Sequence, residues 1–329
     1  AYSYSRAFTY LPTEEELRAL DVTGTLLDPT AGGGSVPFEA VRLGCGTYAN
    51  DLNPVAAVIL KATVELPLKL GPALQQRYNK LAKCFVARRD SILEDVVPEE
   101  PQDGANATNW LWARTVTCPY CGGLVPLSPN WRLDGEGTGV RLIPDGRRIR
   151  FEIVHKASEH SPGTVKDGTG KCPFPDCGRE IPGDDIKRQA QAGKMGHQLY
   201  CVVYKKEVVV GKLKNGKPKT KVVRGFRAPR PEDDVEELVQ KRLAEKMPLW
   251  QARNIVPDEE RYIGPADRSG LYGVLRQVDL FSPRQLYGHC TSVEVFQDII
   301  EELKAQNGGR LNELDRAAML YIALAIDKV

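Results

Sequence analysis

Two pairs of cysteines constrain this chain more than any other feature. Cys118-Pro-Tyr-Cys121-Gly-Gly and Cys172-Pro-Phe-Pro-Asp-Cys177-Gly each place two thiols on one tight turn, and the turns stand about fifty residues apart. A glycine after each turn lets backbone N–H groups approach the sulfurs, and two such turns close a tetrahedral site of four thiolates. We expect Cys118, Cys121, Cys172 and Cys177 to hold a structural Zn2+, with no open position for water and so no catalytic role. Any fold must therefore bring two distant turns to one point. Eight cysteines in 329 residues are too few for a secreted disulfide scaffold, and their paired spacing favours metal. Cys45, Cys84, Cys201 and Cys290 stand alone and read as small apolar side chains. His160 or His197 is the alternative ligand in place of a cysteine.

The second constraint lies near the N-terminus. Val22-Thr-Gly-Thr-Leu-Leu27 is a short β-prone run ending at Asp28. Asp28, Pro29, Thr30, Ala31, Gly32, Gly33, Gly34 and Ser35 then form a turn-rich loop. Val36, Phe38, Ala40, Val41 and Leu43 give one apolar helical face, which ends at Gly44 and Gly46. Thr47-Tyr-Ala-Asn50 is a second strand leading to Asp51, and another helix opens at Asn53-Pro54, where a missing N–H costs nothing. This order is the first half of a doubly wound α/β unit. A glycine-rich bend between strand and helix aims backbone N–H groups at an anion, and the helix N-terminus adds partial positive charge. A phosphate-binding P-loop needs a Lys after the glycines, and none is present. A dinucleotide fingerprint needs a third glycine where this chain has Pro37. S-adenosylmethionine fits best on charge, because Asp28 would repel a pyrophosphate but suits a cationic ligand. Asp51 stands where an acid ending the next strand takes the ribose hydroxyls. A plain strand-to-helix turn is the alternative.

Charge supplies the third constraint. Lys+Arg 45 against Asp+Glu 43 leaves a net charge of only +2, yet residues 205–230 hold ten Lys/Arg against one acid, Glu207, a local +9. The segment alternates polar and β-branched residues around Asn215-Gly216, a strong hairpin signal. Lys212, Lys214, Lys217, Lys219, Lys221 and Arg224 are therefore expected on a β-ribbon able to bind a nucleic-acid backbone by counterion release. A merely solvated hairpin is the alternative. Elsewhere Leu74, Tyr78, Leu81, Phe85 and Ile92 mark an amphipathic helix over 71–95, and helical patterns return at 232–247, 283–305 and 312–329. No stretch approaches the roughly 18 consecutive apolar residues of a membrane span, and the first residues lack a basic head followed by an apolar run. A soluble cytoplasmic protein without a membrane partner is expected; oligomeric state is not encoded in any pattern here.

These motifs resemble a known family. Residues 28–35, then Asn50-Asp-Leu-Asn-Pro54, then Trp112-Ala-Arg-Thr-Val-Thr-Cys118-Pro-Tyr-Cys121-Gly, and later Leu280-Phe-Ser-Pro-Arg-Gln-Leu286 resemble the adenine-specific DNA methylases that carry an inserted zinc ribbon. The first two motifs are shared with many methyltransferases; their combination with the others is more specific. The resemblance implies an α/β fold: a Rossmann-like class I methyltransferase half-domain with an inserted zinc-ribbon and β-hairpin region and C-terminal helices. The expected segments are 1–97 for S-adenosylmethionine, 98–230 for the insertion and 231–329 for the helices. The implied activity is methyl transfer from S-adenosylmethionine to the N6 amino group of adenine in DNA, as in restriction-modification. By position, the loop 28–35 would hold the methionine moiety, Asp51 the ribose, and Leu52 and Asn53 the adenine edge.

One departure matters. The family's chemistry uses an Asp/Asn-Pro-Pro-aromatic tetrapeptide, whose oxygens accept hydrogen bonds from the exocyclic amine and whose ring stacks on the flipped base. No Pro-Pro-aromatic sequence occurs in these 329 residues. We therefore expect the N-terminal part of such an enzyme, with the tetrapeptide beyond Val329 and no catalytic residue in this chain. Two other functions share the same residues: a non-catalytic zinc-ribbon module that binds nucleic acid on a degenerate methyltransferase scaffold, and methylation of RNA or protein.

Overall fold

A computed structural model describes residues 13–19, 24–212, 216–264 and 267–328. The chain opens with α1 (Glu14–Ala19), β1 (Thr25–Asp28), α2 (Ser35–Arg42), β2 (Gly46–Ala49), α3 (Pro54–Leu60) and, after a π-helical turn at Lys61–Glu65, α4 (Leu66–Leu93). A β-rich stretch follows: β3 (Ala105–Thr117), β4 (Leu124–Leu127), β5 (Gly139–Asp145), β6 (Arg148–Val154), β7 (Val165–Lys166), β8 (Thr169–Lys171) and β9 (Glu180–Ile181). Next come α5 (Gly183–Gln191), the long strands β10 (Gly196–Lys212) and β11 (Pro218–Arg227), and the helices α6 (Glu236–Ala252), α7 (Pro283–Gln306) and α8 (Glu313–Asp327). The mixed α/β class expected from the sequence is what the structure shows. Two compact units divide it, one of residues 1–92 with 291–329 and one of residues 93–290. Among the described residues no helix is long and apolar enough to cross a membrane.

In the first unit β1 and β2 pair in parallel, Leu26 opposite Thr47 and Asp28 opposite Ala49. The strand–loop–helix–strand–helix order follows the sequence reading closely; Val22 and Thr23 of the expected first strand lie outside the described residues. Asn53 caps α3, its Oδ1 accepting the Val55 N–H at 2.9 Å, with Pro54 at the first helical position. Gly34 sits at φ +83, and a Cβ there would lie 2.8 Å from Leu60 Cδ2, so only glycine fits. The helix expected over 71–95 begins five residues earlier, at Leu66, but Gly71 breaks it (φ 56, ψ −145) just before Pro72. Leu66 is buried and holds the earlier turn in place. Beyond the break, Leu74, Leu81 and Phe85 pack against Val295, Ile299 and Leu303 of α7 and Ala317, Ala318, Met319 and Ile322 of α8. Three amphipathic stripes thus close one helical core. Arg88 and Glu302 tie its surface by a bidentate pair at 2.6 and 2.8 Å.

The second unit is built on an antiparallel sheet ordered β11-β10-β3-β4, with a β5–β6 hairpin and a small β7-β8-β9 sheet. Val116, Val125, Trp131, Val140, Ile149, Phe174 and Ile181 bury its core. β10 pairs with β3 only as far as Lys206 opposite Ala105, and beyond that it pairs with β11 alone. The helix expected to end at 247 runs on through Pro248 to Ala252. Proline costs it one backbone hydrogen bond, but Trp250, fully buried with its ring 5.7 Å from that of Tyr287, anchors the last turn.

Candidate functional site

The glycine loop is shaped by parallel pairing, which brings Asp28 and Asp51 to the same ends of β1 and β2. Asn50 N–H donates to the Asp28 carbonyl at 2.9 Å, and Ala31 N–H donates to the Asn50 carbonyl at 3.0 Å. The Asp51 carboxylate then closes the loop. Its Oδ2 accepts the Gly32 N–H at 2.7 Å and its Oδ1 the Asn53 N–H at 2.8 Å. These amides, Asn53 first and Gly32 second, hold the Asp51 carboxyl below the usual range, so it is ionised. Asp28 Oδ1 accepts the Thr30 N–H at 3.2 Å. Among the described residues the amides of Gly33, Ser35 and Val36 have no acceptor, so three donors remain at the start of α2. Leu52 is fully exposed, and the Asn53 side-chain oxygen is already engaged in capping α3. A groove of about 750 Å³ opens beside Asp51, lined by Val41, Tyr48, Asn50, Leu60, Lys61 and Lys69. Asn50 and Asp51 line it, but no residue of the loop 28–35 does.

The four paired cysteines come together. The first knuckle is the turn between β3 and β4 and the second the turn between β8 and β9, and all four sulfurs lie within 4.8 Å of one another. Cys118 Sγ is 3.8 Å from Cys177 Sγ, and Cys121 Sγ is 3.7 Å from Cys172 Sγ. A tetrahedron with metal–sulfur bonds of about 2.3 Å has edges of about 3.8 Å, so the set is able to bind a metal ion such as zinc. Backbone N–H groups converge on the sulfurs: Tyr120 and Cys121 on Cys118, Gly123 on Cys121, Phe174 on Cys172. Burial pushes the Cys118 and Cys172 thiols up, so ionising them requires a cation in their midst. The glycines after the knuckles have specific jobs. Gly122 and Gly178 adopt φ of +71 and +60, and a Cβ on Gly123 would meet the Phe174 ring at 2.3 Å.

Two supporting residues were not visible in the motif. Arg147 pairs with Asp176 at 2.7 Å and lies close enough to Cys121 and Cys177 to feel their charge, which offsets part of the negative charge of a four-thiolate site. Gln189 on α5 brackets the strand leading to Cys118, its Oε1 accepting the Thr117 N–H and its Nε2 donating to the Thr117 carbonyl, both at 2.8 Å. Neither alternative histidine joins the sulfurs: His160 donates to the Gly137 carbonyl at 2.8 Å, and His197 accepts from Arg114 at 2.5 Å.

The basic hairpin is a ribbon whose cations divide into two groups. Arg227 and Arg230 turn inward. Arg227 grips the buried carboxylates of Glu100, at 2.7 Å, and Asp233, at 2.5 Å, and Arg230 lies 3.5 Å from Asp233. Burial opposes the charge on Arg227, but Asp233 and Glu100 outweigh it and raise its pKa. Lys205, Lys206, Lys212, Lys219, Lys221 and Arg224 make no ion pair among the described residues, and all but the half-buried Lys206 are exposed. Lys217 is exposed as well, and Lys214 lies outside the described residues. At the root of the ribbon, two of the motifs that carry the family resemblance meet. The Arg284 guanidinium lies 5.5 Å from the Trp110 ring centroid and 5.6 Å from that of Trp112, and its Nη2 donates to the Asp233 carbonyl at 2.5 Å.

Comparison with protein families, with curated proteins and with solved structures finds no match to this chain.

Proposed function

We propose that this chain is the cofactor- and DNA-binding part of an S-adenosylmethionine-dependent adenine-N6 DNA methyltransferase, stiffened by a structural zinc at Cys118, Cys121, Cys172 and Cys177. The observation that carries the cofactor assignment is the Asp51 carboxylate, ionised and fixed by two amides at the mouth of a loop that contains no cation. Each of its oxygens accepts one N–H and keeps a lone pair, which suits the paired hydroxyls of a ribose. The three amides at the start of α2 suit the methionine carboxylate, and Asp28 suits the ammonium and sulfonium charges. A pyrophosphate would find the same donors but two repelling carboxylates. The DNA limb rests on the unpaired cations of the ribbon, and adenine N6 as the target rests on the sequence resemblance alone.

Calorimetry on the zinc-loaded chain tests this. S-adenosylmethionine is expected to bind, and Asp51→Asn to weaken it by about 100-fold, since hydrogen bonds to a charged acceptor are stronger than those to a neutral one. Tighter binding of ADP than of S-adenosylmethionine would overturn the assignment. A folded, zinc-loaded chain that takes up no nucleoside but still binds DNA would favour the second reading, a metal-stiffened nucleic-acid-binding module, which the bare cations of the ribbon support by themselves.

A further inference from the structure

The cations of the ribbon are not spread at random, and their placement says what kind of nucleic acid they meet. Cross-strand partners share a face, so the register sorts them. Lys206 lies opposite Val223, Lys221 opposite Val208 and Lys219 opposite Gly211, all on one face. Lys205 lies opposite Arg224 and Lys212 opposite Pro218, on the other. Each face therefore carries three cations without an ion pair among the described residues. From Glu207 onward β10 has no partner but β11, so a free arm of six residues, about 20 Å at roughly 3.3 Å per residue, stands clear of the sheet with both faces open.

A ribbon lying flat along a single row of phosphates would use one face only, and the three cations on its back would gain nothing. Holding Lys205 directly against Arg224 also costs stability, because like charges opposed across strands repel. Both observations are explained when anions line the two faces at once. The major groove of B-form DNA offers two phosphate-lined walls about 12 Å apart and admits a two-stranded ribbon. The arm also carries exposed apolar side chains: Val209 and Val222, on the same face as Lys212, and Val210 at the bulge are 67%, 60% and 51% exposed. Base edges in the groove, thymine methyls above all, are apolar partners for such side chains.

We propose that this ribbon enters the major groove of duplex DNA arm first, with Lys219 and Lys221 of the arm and Lys206 at its root on one phosphate wall, and Lys212 of the arm with Lys205 and Arg224 at its root on the other. The proposal rests on the nucleic-acid reading of the ribbon and deepens it.

The test uses the zinc-loaded full chain and a 20-base-pair duplex of arbitrary sequence, with affinity measured against salt. Each triple change, Lys206→Gln with Lys219→Gln and Lys221→Gln, or Lys205→Gln with Lys212→Gln and Arg224→Gln, is expected to flatten the log–log salt slope by about 2.7, and the two by similar amounts. Guanine N7 atoms of the bound duplex should be protected from dimethyl sulfate. Loss confined to one triple, or binding without N7 protection, overturns groove insertion while leaving a nucleic-acid surface in place. A wild-type chain with no salt-dependent DNA affinity overturns the nucleic-acid reading itself. Zinc content and thermal midpoint of each variant show whether the substitutions left the fold intact.

Discussion

The glycine loop and the cysteine knuckles solve one problem with different anions. Each bends the backbone sharply and steadies the bend by aiming amide N–H groups at a side chain: Gly32 and Asn53 at Asp51 in the first unit, Tyr120, Cys121, Gly123 and Phe174 at sulfurs in the second. The carboxylate is ionised without help. The buried thiols are pushed toward neutrality, so their loop is complete only around a cation. The glycine loop is thus held by its own carboxylate, whereas four thiols able to bind a metal would need that ion to be held as firmly.

The largest effect should come from breaking the second half of that contrast. Removing zinc with a chelator, or Cys172→Ser, forfeits on the order of 10 kcal/mol of metal-linked folding energy. Hydrogen exchange should then show β3, β4, β8 and β9 unprotected while α4 and α8 keep their protection. Loss of protection in both sets together would mean that the two loops are not independently held.

Next in size is a carboxylate that, unlike Asp51, is buried. Asp233→Asn leaves Arg227 with one partner fewer in the core and should cost about 3–5 kcal/mol in urea unfolding. Burial alone would raise the Asp233 pKa, but Arg227 and Arg230 outweigh it and hold the carboxyl below 3.8. Its contribution is therefore complete above pH 3.8 and is lost as pH falls through the lower folded value. Asp233→Asn should flatten that acid limb, and an unchanged limb would assign the effect to other groups. The smallest effect separates two neighbouring glycines of the loop. Gly34→Ala should cost roughly 1–2 kcal/mol, because its left-handed backbone suits only glycine. Gly33→Ala, whose added Cβ would touch nothing within 4 Å, should be close to neutral in thermal unfolding.

Where local chemistry decides an outcome, the residues spoke plainly. Asn53-Pro54 marked the start of α3, because both residue types act within one turn. Both knuckles announced themselves through a glycine after the second cysteine, Gly122 and Gly178, which serves the left-handed turn, and in the first the next glycine, Gly123, makes room for Phe174. Where the outcome depends on distant partners, the signal was weak. β3 runs for 13 residues, but Asn106, Thr108 and Asn109 disguise it, and its register slips where Val203 and Tyr204 pair with Asn109 and Ala107, leaving Thr108 over. Composition counted Arg227 among the ribbon's positive charges; only burial against Glu100 and Asp233 reveals that it is spent inside. The arm's two faces were likewise hidden, since alternation shows that neighbours diverge but not which residues stand opposite.

Because residues 93–290 interrupt the first unit, α4 leaves the ribosome about 200 residues ahead of the helices that cover its apolar stripe. At 5–20 residues per second that delay is on the order of 10–40 s. Leu74, Leu81 and Phe85 wait uncovered through it, while the uninterrupted second unit has its whole sequence in hand. Vectorial synthesis thus gives the nascent chain an order of assembly, with the β-rich insert completed before the helical core that encloses its two ends in sequence.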